Sequence, residues 1–377
     1  MKLRDMKLRE TFAVILVLTC MIGAVRSGRA GDTQTGNWTI ARGDEQGKIE
    51  FGLIISREGY PSQHESDWPL TAFQGLDVSK PGKQDVHFTI TRDAGKFDCE
   101  GFLENGEGAG VFHFSADPNY RREMDSIGFG DIDAEKQFSM AVMDVSLDFA
   151  KQMKNEHLEG LDTDKLIAFK IHGVTPEFIH RIHSAGVKEN DADKLIAFRI
   201  HGVSPEFVSG MRAAGLNETD SDKLIAFRIH GVSPEFIAGM RAAGLPETDG
   251  DKLVAFRIHG VSPEMVTELR KSGYNPDADS LIAMRIHGAS PEWISQLRGV
   301  GYDHVELEQL IAFRIHGVSP DFIQQLQGLG YKHPEPDQLI AMRIHGVTAE
   351  WISGLKSHGM QNLSIDQLVS LRIHGID

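Results

Sequence analysis

Cysteine is almost missing from this chain: only Cys20 and Cys99 occur in 377 residues. There is no CysXxxXxxCys pair, which removes the dithiol redox and zinc-knuckle classes. Other catalytic signatures are missing too. His64–Glu65 has no second histidine three residues on, so the zinc-protease helix motif is lacking. No Gly-Xxx-Ser-Xxx-Gly elbow and no phosphate-binding glycine loop appears. Long apolar runs are also scarce. The one candidate, Phe12 to Val25, is shorter than the ~20 residues that a membrane-crossing helix needs.

That run lies behind Lys2, Arg4, Lys7 and Arg9 and ahead of the small residues Ser27, Gly28 and Ala30. Basic region, apolar run and small residues in that order are the layout of a secretory signal peptide over residues 1–30. Retention of the run as an anchor is the alternative. Export to a periplasm or cell envelope follows as the expected localisation. Removal of residues 1–30 would leave 33 basic and 52 acidic residues, a net charge of −19, with Cys99 as the only thiol. Such a balance disfavours nucleic acid and anionic membranes as partners. It also means that packing alone, without a disulfide, must hold the fold.

What the chain has in abundance is repetition. A segment close to LeuIleAlaPheArgIleHisGlyValSer begins at Leu166, Leu195, Leu224, Leu253, Leu281, Leu310, Leu339 and Leu368. The spacing is 29 residues, except 28 between Leu253 and Leu281, where the shortfall falls near Asn275–Pro276. A degenerate copy precedes these, with Asp144, Val145 and Phe149 standing for Gly173, Val174 and Phe178. A fixed period of this length marks a solenoid, here expected over residues 134–377.

Punctuation divides each repeat into two short helices. Asp162, Asp191, Asp220, Asp249 and Asp277 stand where an N-cap of helix A belongs, and Gly173, Gly202 and their equivalents close it. SerProGlu, as in Ser204–Pro205–Glu206, then opens helix B with a cap, a first-turn proline and an acid at the positive dipole end. Helix A is apolar nearly all round, so it is expected to be buried between its neighbours. Helix B is apolar on one side, and is therefore expected to present the solvent face.

Residues 36–117 follow a different rhythm. Ile49, Phe51, Leu53 and Ile55 alternate with other residues, as do Val86, Phe88 and Ile90, and Phe97, Cys99, Gly101 and Leu103. Period two reads as half-buried strands, five or six of them in a small antiparallel module whose last three form a meander. The fold class is thus α+β and mainly α: a β module followed by an α-solenoid of helical hairpins.

Three recurring sets of polar residues are candidates for function or for stacking. Lys170, Arg199, Arg228, Arg257, Arg285, Arg314, Arg343 and Arg372 fall on helix A. On a buried helix each needs a partner, and the recurring acids Glu206 and Glu235 suggest an Arg–carboxylate ladder. His172, His201, His230, His259, His287, His316, His345 and His374 follow two residues later. A metal-binding histidine ladder is conceivable, but helices in contact are about 8–10 Å apart, while zinc draws its ligands to within ~2 Å. Hydrogen bonds to the free carbonyls of the last turn of helix A are the preferred role. A second basic line, His183, Arg212, Arg241, Arg270, Arg298 and Lys356, runs along helix B. It suits the negative end of a helix or, as a basic stripe on an acidic molecule, an acidic protein segment.

The β module ending Gly108–Ala109–Gly110–Val111–Phe112–His113–Phe114, followed by HisGlyVal-(Ser/Thr)-ProGlu repeats, resembles the C-terminal extension of bacterial antirepressor-type membrane metallopeptidases. The resemblance implies a sensor or interaction portion. It does not imply peptidase activity, because the zinc motif and membrane helices of that family are lacking here. The expected function is a non-catalytic scaffold that binds protein partners in the cell envelope, with no cofactor. A small-ligand or metal sensor built on the histidines or the β module is the alternative.

Overall fold

A computed structural model describes residues 33–43, 45–57 and 60–376; the expected signal segment lies outside the described residues. The chain divides into two compact units, Met1–Ser146 and Leu147–Asp377.

In the first unit six strands, β1 (Thr33–Arg42), β2 (Lys48–Arg57), β3 (Tyr60–Pro69), β4 (Lys83–Arg92), β5 (Gly95–Glu104) and β6 (Glu107–Ala116), form one antiparallel sheet. Their order is β3-β2-β1-β6-β5-β4: two three-stranded meanders joined through β1 and β6. The inward residues are those that the alternation marked, among them Phe51, Leu53, Phe88, Phe97, Cys99 and Leu103. Strand neighbours lie about 4.8 Å apart, so β2 and β4, four steps apart, would be roughly 19 Å apart in a flat sheet. Yet the rings of Phe51 and Phe88 are 6.4 Å apart and that of Trp38 lies 5.1 Å from Phe88. The sheet is therefore strongly curled around an aromatic core. Glycine permits part of this: a Cβ on Gly101 or Gly110 would stand 2.6 or 2.7 Å from the indole of Trp38. That indole crosses both strands and donates its N–H to Glu100 O at 3.1 Å.

Helices α1 (Pro118–Ser126) and α2 (Ala134–Val142) complete this unit. Phe138 of α2 meets the rings of Phe97, Phe112 and Phe114. Gln137 is fully buried, and its amide donates to Ala94 O at 2.7 Å and Asp117 O at 2.8 Å, which removes the cost of hiding it.

The second unit opens with α3 (Leu147–Asn155) and continues as helical hairpins. Helix A recurs over Thr163–His172, Ala192–His201, Ser221–His230, Gly250–His259, Ala278–His287, Leu307–His316, Pro336–Ile344 and Ile365–Ile373. Helix B recurs over Pro176–Ser184, Pro205–Ala213, Pro234–Ala242, Pro263–Lys271, Pro291–Gly299, Pro320–Gly328 and Ala349–Ser357. Each A helix packs on the A helices before and after it, and successive B helices pack on one another from Pro176–Ser184 to Pro291–Gly299 and again between Pro320–Gly328 and Ala349–Ser357. The result is a two-layered α-solenoid. The caps act as the punctuation requires: Asp220 accepts from Lys223 N at 2.9 Å and Ser204 from Phe207 N at 3.1 Å. Glu306, a poorer cap, makes no such bond. The degenerate copy is split, with α2 in the first unit and α3 in the second; Asp144, standing where the repeats carry glycine, takes a φ of 54°.

One expectation fails. Helix A is not enclosed all round, and helix B is not the sole presenting face. Leu195 and Phe198 are buried and Ile196 and Ala197 half-buried, but Arg199, Ile200 and His201 are exposed. The reason lies in the stacking. At 100° per residue Leu195 and Phe198 fall at about 0° and 300°, while Ile200 falls at about 140°, opposite the core. Neighbouring A helices cover the flanks of this helix, and among the described residues nothing covers its far side.

Candidate functional site

The last turn of helix A is where the repeat residues converge. Gly202 follows it at φ 73°, a left-handed conformation that glycine adopts without strain. The turn exposes the carbonyls of helix A, and the arginine of the next repeat fills the space above them. Arg228 Nε donates to His201 O at 3.2 Å, Arg199 Nε to His172 O at 3.0 Å and Arg314 Nε to His287 O at 3.1 Å. Arg285 Nε reaches His259 O at 3.0 Å, so this register survives the missing residue near Asn275–Pro276. The guanidinium then lies over the aromatic ring that opens the previous helix B. Arg228 is 5.0 Å from the Phe207 ring, Arg257 5.0 Å from Phe236, Arg343 4.9 Å from Phe322 and Arg372 4.8 Å from Trp351. Met265 takes the place of the ring beneath Arg285.

This corrects the expected Arg–carboxylate ladder. Arg228 is exposed, and its partners are a carbonyl and a ring instead of Glu206 or Glu235. Glu206 pairs with Arg181, while hydrogen bonds from Ser233 and from its own backbone N–H hold the Glu235 carboxyl below the usual carboxylate range. Ion pairs between successive A helices use lysine instead: Lys165 with Asp193, Lys194 with Asp222 and Lys252 with Asp279. The physical reason is distance from the core. An arginine at the helix rim needs no countercharge, because water solvates its outer edge while its flat face covers a ring.

The histidines are corrected as well. Among the described residues, the rings of His201, His230, His259, His287, His316, His345 and His374 have no hydrogen-bond or ion-pair partner. Arginines of the next repeat instead take carbonyls at this helix end, those of His172, His201, His259 and His287. Nor is any group of three or more His, Cys, Asp or Glu placed to hold a metal ion, among the described residues.

Each of these histidines follows an isoleucine that sequence reasoning missed. Ile171, Ile200, Ile229, Ile258, Ile286, Ile315, Ile344 and Ile373 are between 45% and 58% exposed, a high value for so large an apolar side chain. Their signal was present in the repeats themselves. Ile-His-Gly is invariant in all eight copies. The equally exposed helix-B position has drifted through His180, Ser209, Ala238, Ser295, Gln324 and Ser353. Eight copies that kept an exposed isoleucine, seven of them with an exposed histidine that has no bonded partner among the described residues, while the helix-B position diverged, mark these residues as candidates for contact with something outside the chain.

The helix-B basic line has a different placement. Arg270 Nη2 donates to Gly244 O at 2.9 Å, Arg298 Nη2 to Ser272 O at 2.6 Å and Lys356 Nζ to Leu329 O at 2.5 Å. Arg241 reaches Gly215 O at a long 3.5 Å, Arg212 lies over Gly186, and Gln327 holds the same post with an amide, bonding Val300 O at 2.9 Å. His183 bonds Glu189 O at 2.8 Å. From Arg241 onward these side chains point at carbonyls closing the preceding B helix, so they serve inter-repeat capping whatever else they contact.

No protein-family model matches the chain, and no curated protein matches it. Among the described residues, no helix is long and apolar enough to cross a membrane.

Proposed function

We propose that this chain is an exported, non-catalytic repeat scaffold that binds protein partners in the cell envelope, and that the exposed last turns of its A helices form the binding face. The observation that carries the reading is the row of invariant, exposed Ile-His pairs described above. A stacking role would call for burial or a bonded partner, and among the described residues the isoleucines and the histidines from His201 to His374 have neither. Repetition supports a scaffold over an enzyme, since a reaction centre is needed once and a contact line gains from every copy. The basic region and apolar run within residues 1–30 support export. The test is affinity capture from envelope extract with the full chain and with a triple variant, Ile200→Ser, Ile229→Ser and Ile258→Ser. The expected result is a discrete protein set retained by the original chain and lost by the variant at an unchanged melting temperature. Identical capture by both would remove the A-helix face from the proposal, and capture of nothing by either would remove the scaffold.

A further inference from the structure

The chemistry of this face narrows what can lie on it. Five repeats contribute three exposed side chains in succession, from Arg199–Ile200–His201 to Arg314–Ile315–His316: a cation, an apolar branch and an imidazole; in the outer three the cation is half-buried. For Arg199, Arg228, Arg285 and Arg314 the Nε proton goes to a carbonyl, and the terminal Nη groups keep donors that no acceptor among the described residues takes up. The recurring acids nearest in sequence do not form ion pairs with these arginines among the described residues: Ser233, Ser262 and Ser290 and the acids' own backbone N–H groups hold the carboxyls of Glu235, Glu264 and Glu292 below the usual carboxylate range, and at Glu292 the charge of Arg285 adds a smaller effect. An apolar row flanked by guanidinium donors thus runs along a chain of net charge −15. Its complement is anionic and apolar in alternation, which excludes a plain polyanion and a plain hydrophobic surface alike.

The spacing adds a second constraint. Packed helices lie about 8–10 Å apart, so the isoleucines of successive repeats recur at about that interval. A polyproline II segment advances about 9 Å in three residues and returns the same face every third residue. A β-strand returns the same face every second residue, about 6.6 Å, and falls out of step within two repeats.

We propose that the A-helix face binds an extended, acidic polypeptide segment in a polyproline II conformation, with an apolar residue at every third position. The isoleucines receive the apolar side chains one per repeat, and the arginine Nη donors meet the intervening carboxylates. This inference rests on the scaffold reading and names its partner class.

The test uses synthetic peptides and the purified full chain. The probe is an 18-residue peptide, (Asp-Pro-Leu) repeated six times, which spans about 56 Å or roughly six repeats. Its controls are a same-composition scramble without the three-residue period, and the basic (Lys-Pro-Leu) series. Binding is read by fluorescence anisotropy at low salt. The expected result is binding of the periodic acidic peptide at least ten-fold tighter than of either control, and a ten-fold or greater loss in the variant carrying Ile229→Ser and Ile258→Ser. Equal binding of periodic and scrambled peptides would overturn the register. Equal binding of polyglutamate would make the face a charge surface only, and would also overturn it. If sedimentation shows a self-association that the isoleucine variant abolishes, the occupant is a second copy of the chain and the peptide proposal fails. Protein capture from extract that depends on the isoleucines, without peptide binding, would sink this inference and leave the scaffold standing.

Discussion

Arg228 shows how much depends on what surrounds a single charged residue. Enclosed with a carboxylate, its loss would strand a buried charge, at a cost of roughly 3–5 kcal/mol. Exposed, with one bond to His201 O and one face on Phe207, it contributes a single hydrogen bond and an exposed cation–π contact. Those sum to about 1–2 kcal/mol. Arg228→Met is therefore expected to destabilise the chain by that smaller amount in denaturant melts. Arg241→Met, which gives up only a long contact to Gly215 O, should cost less than about 0.5 kcal/mol. A loss above 3 kcal/mol for Arg228→Met would restore the buried pair. The glycine beneath the arginine is a second point of sensitivity. At φ 73°, a Cβ on Gly202 would stand 2.8 Å from Arg228 Nη2. Gly202→Ala should cost about 1–2 kcal/mol from the left-handed backbone alone, and more if Arg228 is displaced; an unchanged melting temperature would contradict this. In the β module, burial and the neighbouring Asp98 charge push the Cys99 thiol up to about 12. Native protein at pH 8 should therefore resist iodoacetamide, while denatured protein reacts at once. Rapid native labelling would mean that the sheet opens around β5.

Helices this short do not persist alone, so the element that folds is the whole repeat in contact with its neighbours. Each inter-repeat link joins equivalent positions: Arg to the carbonyl before, Lys to the Asp after, a helix-B cation to the turn before. Removing one complete period, Asp220–Thr248, brings Thr219 to Asp249 and places the equivalent residues Arg257, Asp251 and Arg270 where Arg228, Asp222 and Arg241 stood. That variant should fold with a cooperative melt and an undiminished helix signal per residue. Removing half a period, Asp220 to Ser233, leaves a B helix without its A helix and should produce a broad or split transition. Equal melts would show that the repeats fold independently of register. Period, caps and helix ends were all legible because they depend on local chemistry: Asp220, Ser204 and Gly202 act within one turn of themselves. The strands of the β module were legible through their alternation, but the curl that brings Phe51 to Phe88 was not, since it arises from contacts across five strands. The exposed isoleucines were misread for a related reason. An apolar residue on an apolar helix signals burial, and only the stacking of A on A decides which side is left uncovered.

For the whole molecule, the place of the proposed binding face follows from this geometry. The solenoid multiplies one contact surface eight times, and the capping networks that hold it together occupy the helix-B cations and the helix-A carbonyls. Among the described residues, what remains unoccupied is the Ile-His line with the outer edge of the exposed arginines. The central claim is that this line, and not the helix-B surface, meets a protein. Site-specific photo-crosslinking in intact cells tests it most directly, with a benzoylphenylalanine placed at Ile229 or, as a control in the same repeat, at exposed Ala238. Discrete protein adducts are expected from position 229 and few or none from position 238. Adducts from position 238 with none from position 229 would contradict it.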